Sequence, residues 1–227
     1  MNIVLVHGSG GSERSWSLVA PLLASRGHAV IVADNPSQSL EEDTRRVRDL
    51  IDPLEGPIVL VGHSYGGAVI TNAGVDERVA ALVYVAAFVP DAGESVQGIV
   101  NSYPPAEVSR FFTRGPAGEW IPEDSPASRA ALAWDVPDDV WATRHNDRRT
   151  SADAIFTQRT GSPAWATTPS WYLLATSDKH IRVEAQREMA SRAGSTVLEV
   201  DTSHAVPHAA PERVVAVIEA AIDAVTG

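Results

Sequence analysis

The sequence predicts an α/β fold: a mostly parallel six-stranded sheet flanked by helices, with a helical insertion between the fourth and fifth strands. Three observations carry this expectation. Six short, β-branched apolar runs recur along the chain, nearly continuous in apolar character as strands covered on both faces are. Apolar residues at helical spacing lie between them. The rhythm then breaks once, from about residue 90 to 169, in a stretch rich in Pro and Trp with no convincing buried strand.

The runs are 3–6 (Ile-Val-Leu-Val), 29–33 (Ala-Val-Ile-Val-Ala), 58–61 (Ile-Val-Leu-Val), 79–85 (Val-Ala-Ala-Leu-Val-Tyr-Val), 171–175 (Trp-Tyr-Leu-Leu-Ala) and 197–200 (Val-Leu-Glu-Val). After the first, Leu18, Val19, Leu22 and Leu23 repeat at helical spacing, and Pro21 is expected to bend or shorten that helix. Leu40, Thr44, Val47, Leu50 and Ile51 form a narrow stripe on a highly charged helix after the second. Residues 68–73 continue as a helix after the third. Val214, Val217, Ile218, Ala221, Ile222 and Val225 make a terminal amphipathic helix that Pro211 is placed to open. Strands alternating with helices give a parallel sheet. Residues 1–89 and 170–227 are therefore expected to form one core, with 90–169 as a helical cap over one end of the sheet. Trp120, Trp134, Trp141 and Trp165 fall in that cap with Phe111 and Phe112, either lining an apolar pocket or packing as the cap's own small core.

Composition removes several function classes. Of 227 residues 44% are hydrophobic and 21% charged, enough for a substantial core. Eighteen basic and 29 acidic residues leave a net charge of −11, which repels nucleic acid. No cysteine is present, so disulfides, thiolate metal sites and thiol nucleophiles are excluded. The first run reads as a strand rather than a leader, and the longest apolar run, 79–89, is too short to span a bilayer. A cytoplasmic protein without membrane association is expected.

The strongest local signal is Gly62-His63-Ser64-Tyr65-Gly66-Gly67, between the third apolar run and a helical pattern. At such a strand-to-helix junction the turn is so sharp that the central residue takes a strained backbone. The residues two before and two after it then have no room for side chains, hence Gly62 and Gly66. Ser64 is thereby thrust out at the carboxyl end of the sheet. The second signal, His7-Gly8-Ser9-Gly10-Gly11, follows the first strand. As a dinucleotide loop it would use Asp34 as the ribose-binding acid, but Glu13 stands where the third glycine is required. As an oxyanion loop it presents the Ser9 amide, with the Tyr65 amide as second donor.

A serine nucleophile needs a base, and the base an orienting acid. Asp178 follows the fifth strand and His204 the sixth, each just past a carboxyl end. Asp91, after the fourth strand, is the competing acid. Among the other histidines, His7 and His63 belong to the glycine motifs and are expected to make structural hydrogen bonds. His28 and His145 are expected at the surface, and His180 either lines the site or lies exposed. His204 and His208 are four apart, but Pro207 between them argues against a metal pair.

With Val-Leu-Val-His-Gly at the start, Gly-His-Ser-Tyr-Gly-Gly, Ala-Ala-Phe-Val-Pro-Asp at 86–91, Thr-Ser-Asp-Lys-His-Ile at 176–181 and Ser-His at 203–204, the chain resembles the α/β-hydrolase superfamily. Within it the chain is similar to small esterases related to methyl-salicylate esterases and to plant hydroxynitrile lyases. The resemblance spans nearly the whole chain and is weak through the cap. It implies a Ser64–His204–Asp178 triad, oxyanion donors at Ser9 and Tyr65, and hydrolysis of a small ester or lactone with no cofactor and no metal. The lyases carry Thr after the first histidine and Lys after the catalytic one. Gly8 and Ala205 stand there instead, which favours the esterase branch. The alternatives are a ligand receptor with little turnover, or a lyase or carbon–carbon bond hydrolase using the same serine and histidine. The expected partner is a small molecule, on a monomer or homodimer.

Overall fold

The structure, a computed structural model, describes residues 1–145 and 149–227. Among these, six parallel strands form the main sheet: β1 (Asn2–Val6), β2 (Ala29–Ala33), β3 (Ile58–His63), β4 (Val79–Val85), β7 (Ser170–Ala175) and β8 (Thr196–Val200), in the order β2-β1-β3-β4-β7-β8. Two further strands, β5 (Phe112–Arg114) and β6 (Trp120–Pro122), pair separately as an antiparallel hairpin. The helices are α1 (Val19–Ser25), α2 (Leu40–Ile51), α3 (Gly66–Ala73), α4 (Val96–Asn101), α5 (Pro126–Leu132), α6 (Asp138–His145), α7 (Ala154–Thr157), α8 (Val183–Arg192), α9 (Val206–Ala209) and α10 (Pro211–Thr226).

Period-two alternation splits the strand residues between two cores. Val4, Val6, Ile58, Leu60, Leu82, Tyr84, Tyr172 and Leu174 pack with α2, α3 and α8. Ile3, Leu5, Val59, Val61, Val83, Val85 and Leu173 pack with α1 and α10 on the opposite face. The central strands are therefore buried on both sides. At the edges the expectation of full cover does not hold: β2 and β8 have partly exposed residues, because each is hydrogen-bonded on one side only. Pro21 lies in the first turn of α1, where its missing N–H costs no helical bond, and the helix stays short. Pro211 opens α10.

Within residues 90–169 the short helices are accompanied by two three-residue strands, neither of them fully buried. The β5–β6 hairpin lies among the short helices, with Phe112 opposite Pro122 and Arg114 opposite Trp120. Three residues per strand are too few to show periodicity, and Pro122 argues against a strand. Val108, Phe111, Leu132 and Val136 form a small core of their own, against which Phe112 and Trp141 pack, and Ala205 joins it from the loop after β8. Trp165 packs on the main core and donates its indole N–H to the Pro90 carbonyl (3.0 Å). Trp134 is half exposed.

Candidate active site

β3 delivers Ser64 at φ 55°, a left-handed conformation rarely adopted by a residue with a side chain. The turn is held by Ser64 itself, whose carbonyl accepts from the Gly67 and Phe88 amides (3.0 Å each). A Cβ on Gly62 would meet the Gly66 carbonyl oxygen at 2.5 Å, and one on Gly66 would strike the Val6 carbonyl. Both positions accept hydrogen only. Gly8 lies directly against the serine: a Cβ there would stand 2.9 Å from Ser64 Cβ and 3.4 Å from its Oγ. The loop after β1 and the turn after β3 thus converge on one point.

Ser9 follows Gly8 and Tyr65 follows Ser64 along the chain, and among the described residues neither amide donates a hydrogen bond to another protein group. The Ser9 side chain bonds Ser151 Oγ (2.6 Å). The buried Tyr65 hydroxyl donates to Asp43 Oδ2 (2.9 Å). Burial pushes the Asp43 carboxyl up to about 6 and the Tyr65 hydroxyl well above its usual range. Asp43 Oδ1 accepts from the Ser37 amide (3.2 Å), and Ser37 Oγ accepts from the Gly10 amide (3.2 Å). One buried carboxylate therefore links the residue after the serine to the loop carrying Ser9.

Asp178 and His204 meet as β7 and β8 end side by side. Asp178 Oδ2 accepts from His204 Nδ1 (2.8 Å) and from Gln186 Nε2 (2.9 Å), and Oδ1 accepts from the amides of His180 (2.6 Å) and Ile181 (3.0 Å). Burial pushes this carboxyl up to about 7. The His180 charge, the His180 and Ile181 amides and the Gln186 side chain pull the other way. With Nδ1 donating to the carboxylate, His204 Nε2 is the acceptor. His63, the residue before Ser64, donates from Nε2 to the His204 carbonyl (2.8 Å), and the two rings lie 4.9 Å apart. This joins the serine turn to the histidine loop. Ser64, His204 and Asp178 are only 5%, 3% and 7% exposed.

The remaining candidates take other roles. Asp91 Oδ1 accepts from the Ala92 amide (2.7 Å) and its own amide bonds Glu94, whereas the carboxylate at His204 Nδ1 is that of Asp178. His7 is buried: its Nε2 accepts from the Asn35 amide (3.1 Å), so Nδ1 carries the proton and donates to the Gly8 carbonyl (2.8 Å). Burial lowers it to about 4, which keeps it neutral. His28 is part-buried and lies 3.1 Å from Glu219 Oε1, a partner its sequence context did not announce. The His145 side chain lies outside the described residues. His180 stacks on His204 with ring centroids 4.3 Å apart. Among the described residues no group of three or more side chains is arranged to hold a metal ion, and no helix is long and apolar enough to cross a membrane.

Four supporting residues escaped the sequence reading: Asp43, Asp135, Arg149 and Gln186. Asp135 Oδ2 accepts from the Ser203 amide (2.9 Å), just before His204. The Arg149 guanidinium donates to the Gly11 carbonyl (2.7 Å) and to Asp34, and its amide bonds the Gly10 carbonyl (2.9 Å). None sits in a motif, and Asp135 and Arg149 act through partners far away in sequence.

The chain is 37% identical over 130 residues to a carbendazim hydrolyzing esterase of Nocardioides sp. (strain SG-4G), covering 50% of this chain and 53% of that protein. It is 30% identical over 119 residues to methylesterase 8 of Arabidopsis thaliana, covering 45% and 43%. The matched segments thus span about half the length of these curated relatives. Among solved structures, a pyrethroid hydrolase superposes with a TM-score of 0.88 at 24% identity over 99% of this chain and 98% of the other. A polyneuridine aldehyde esterase gives 0.84 at 20% identity over 98% of each. At these identities the superpositions show a shared fold. A family model matches residues 3–217, nearly the full length of the described sheet and its helices, and the chain belongs to the alpha/beta hydrolase family.

Proposed function

We propose that the protein is a serine hydrolase that cleaves a small carboxylic ester or lactone through an acyl-enzyme, with Ser64 as nucleophile, His204 as general base and Asp178 as its orienting acid. The observation that carries this reading is the buried Asp178–His204 bond (2.8 Å), tied through His63 to a serine held at φ 55°. The esterase names of the curated relatives support the same chemistry.

In the first step Ser64 Oγ attacks the carbonyl carbon while its proton passes to His204 Nε2. Asp178 holds Nδ1–H and balances the imidazolium that forms. The tetrahedral oxyanion is received by the Ser9 and Tyr65 amides, each donor lowering the barrier by about 3 kcal/mol. His204 then protonates the departing alcohol, and the C–O bond breaks to leave acyl-Ser64. Water repeats the sequence, releasing the acid and free serine. Residues 90–169 act as the cap through which substrate reaches the nearly covered serine. Steady-state hydrolysis of short p-nitrophenyl esters tests this. Multiple turnovers that vanish in Ser64→Ala support it, and a single burst or none points to a receptor.

A further inference from the structure

We propose that His180 is a positioning residue for the general base: its ring, stacked on that of His204, fixes the imidazole plane between Asp178 and Ser64 and, through its own protonation, opposes charge on that imidazole. The inference rests on the hydrolase reading above. The two rings lie nearly parallel, 4.3 Å apart at 19°. His180 is itself fixed by the acid that orients His204, since its amide donates to Asp178 Oδ1 at 2.6 Å. From the cap, Phe112 presses edge-on against it at 5.8 Å and 71°.

The Nδ1 bond to Asp178 sets the direction of the imidazole, and a ring stacked on its face adds a restraint on its plane. That restraint comes at no cost in polarity. A neutral ring also offers its π face to the imidazolium formed during acyl transfer. A protonated His180 does the opposite, placing a like charge beside it and disfavouring its charged form. Among the described residues, Asp178 and His204 face His180 from the loops after β7 and β8, and uncharged Phe112 faces it from the hairpin. Lys179, next along the chain, is half exposed and pairs with Glu107 at 3.3 Å.

The test compares wild type, His180→Ala and His180→Phe in p-nitrophenyl ester hydrolysis across pH, each checked by thermal melting. Loss of the stack in His180→Ala lowers kcat by about tenfold or more, within the range that a well-placed base supplies, while KM stays within about twofold. His180→Phe restores most of that kcat, and the acid limb of log kcat/KM loses one proton of slope. Unchanged kcat in His180→Ala, a loss carried entirely by KM, or an unaltered slope in His180→Phe overturns the proposal. A side-chain 15N titration of His204 needs no turnover: its midpoint rises in His180→Phe, and an unmoved midpoint contradicts the inference. A wild type that hydrolyses no ester sinks the hydrolase reading alone, and the titration still decides the role of His180.

Discussion

Asp178 is surrounded by four donors, and each of its oxygens has two of them: the His180 and Ile181 amides on one side, Gln186 and His204 on the other. That geometry makes Asp178→Asn informative. The single remaining oxygen must face the two backbone amides, which cannot turn away. Its NH₂ then confronts Gln186 Nε2 and His204 Nδ1. The imidazole is driven to carry its proton on Nε2, where it can no longer accept from Ser64. We expect kcat to fall by about 10⁴-fold with the fold intact, as a wrong tautomer does in serine triads. A variant that retains more than a tenth of wild-type kcat contradicts the assignment of Asp178. The sequence made Asp178 and His204 visible because each follows an apolar strand directly. Gln186 was invisible because its role arises only when α8 folds back against the end of β7, bringing its amide to Ala175, Ile181 and Asp178 together.

At the scale of elements, the turn between β3 and α3 is the joint on which the site depends. Gly66 lies against the β1 backbone, where a methyl group strikes the Val6 carbonyl, and no rotamer relieves a clash between backbone and Cβ. Gly66→Ala therefore forces β1 and β3 apart at the serine, costing about 1–3 kcal/mol or more, a large fraction of a typical stability. The expected result is a clear drop in melting temperature together with lost ester turnover, and a variant that melts and turns over like wild type contradicts this packing. The β-runs and the long helices were legible because burial imposes one period over many residues, as in Leu40 to Ile51 or Val214 to Val225. The hairpin at Phe112–Arg114 and Trp120–Pro122 was not. Its pairing is set by the turn, where the Gly115 amide meets the Glu119 carbonyl (2.9 Å) and Gly118 takes φ 80°, and by Trp120 docking on Ser151. Neither contact leaves a periodic trace.

At the scale of the whole molecule, buried Asp43, Asp178 and His7 set opposing pH dependences. Asp43 and Asp178 are raised from an ordinary 3.8 to about 6 and about 7 by burial. As pH falls, the native state takes up these protons before the unfolded chain does, so their contribution to stability is full below about 4 and is lost as pH rises through 6 to 7. His7, lowered by burial from 6.5 to about 4, works the other way and costs stability as pH falls through that window. Two carboxyls against one imidazole, with a net charge of −11 whose self-repulsion eases on acidification, favour the acidic side. We expect a higher melting temperature at about pH 5 than at about pH 8, and a smaller difference in Asp43→Asn. Equal or reversed melting in the wild type contradicts the burial of these carboxyls. The central claim remains chemical: one serine, lifted at the end of β3, is the nucleophile. The direct measurement is labelling of the intact protein with a fluorophosphonate probe, followed by peptide mass analysis. The account predicts one adduct, on Ser64, absent in Ser64→Ala and greatly slowed in His204→Ala. An adduct on a different serine, or none on the folded protein, contradicts it.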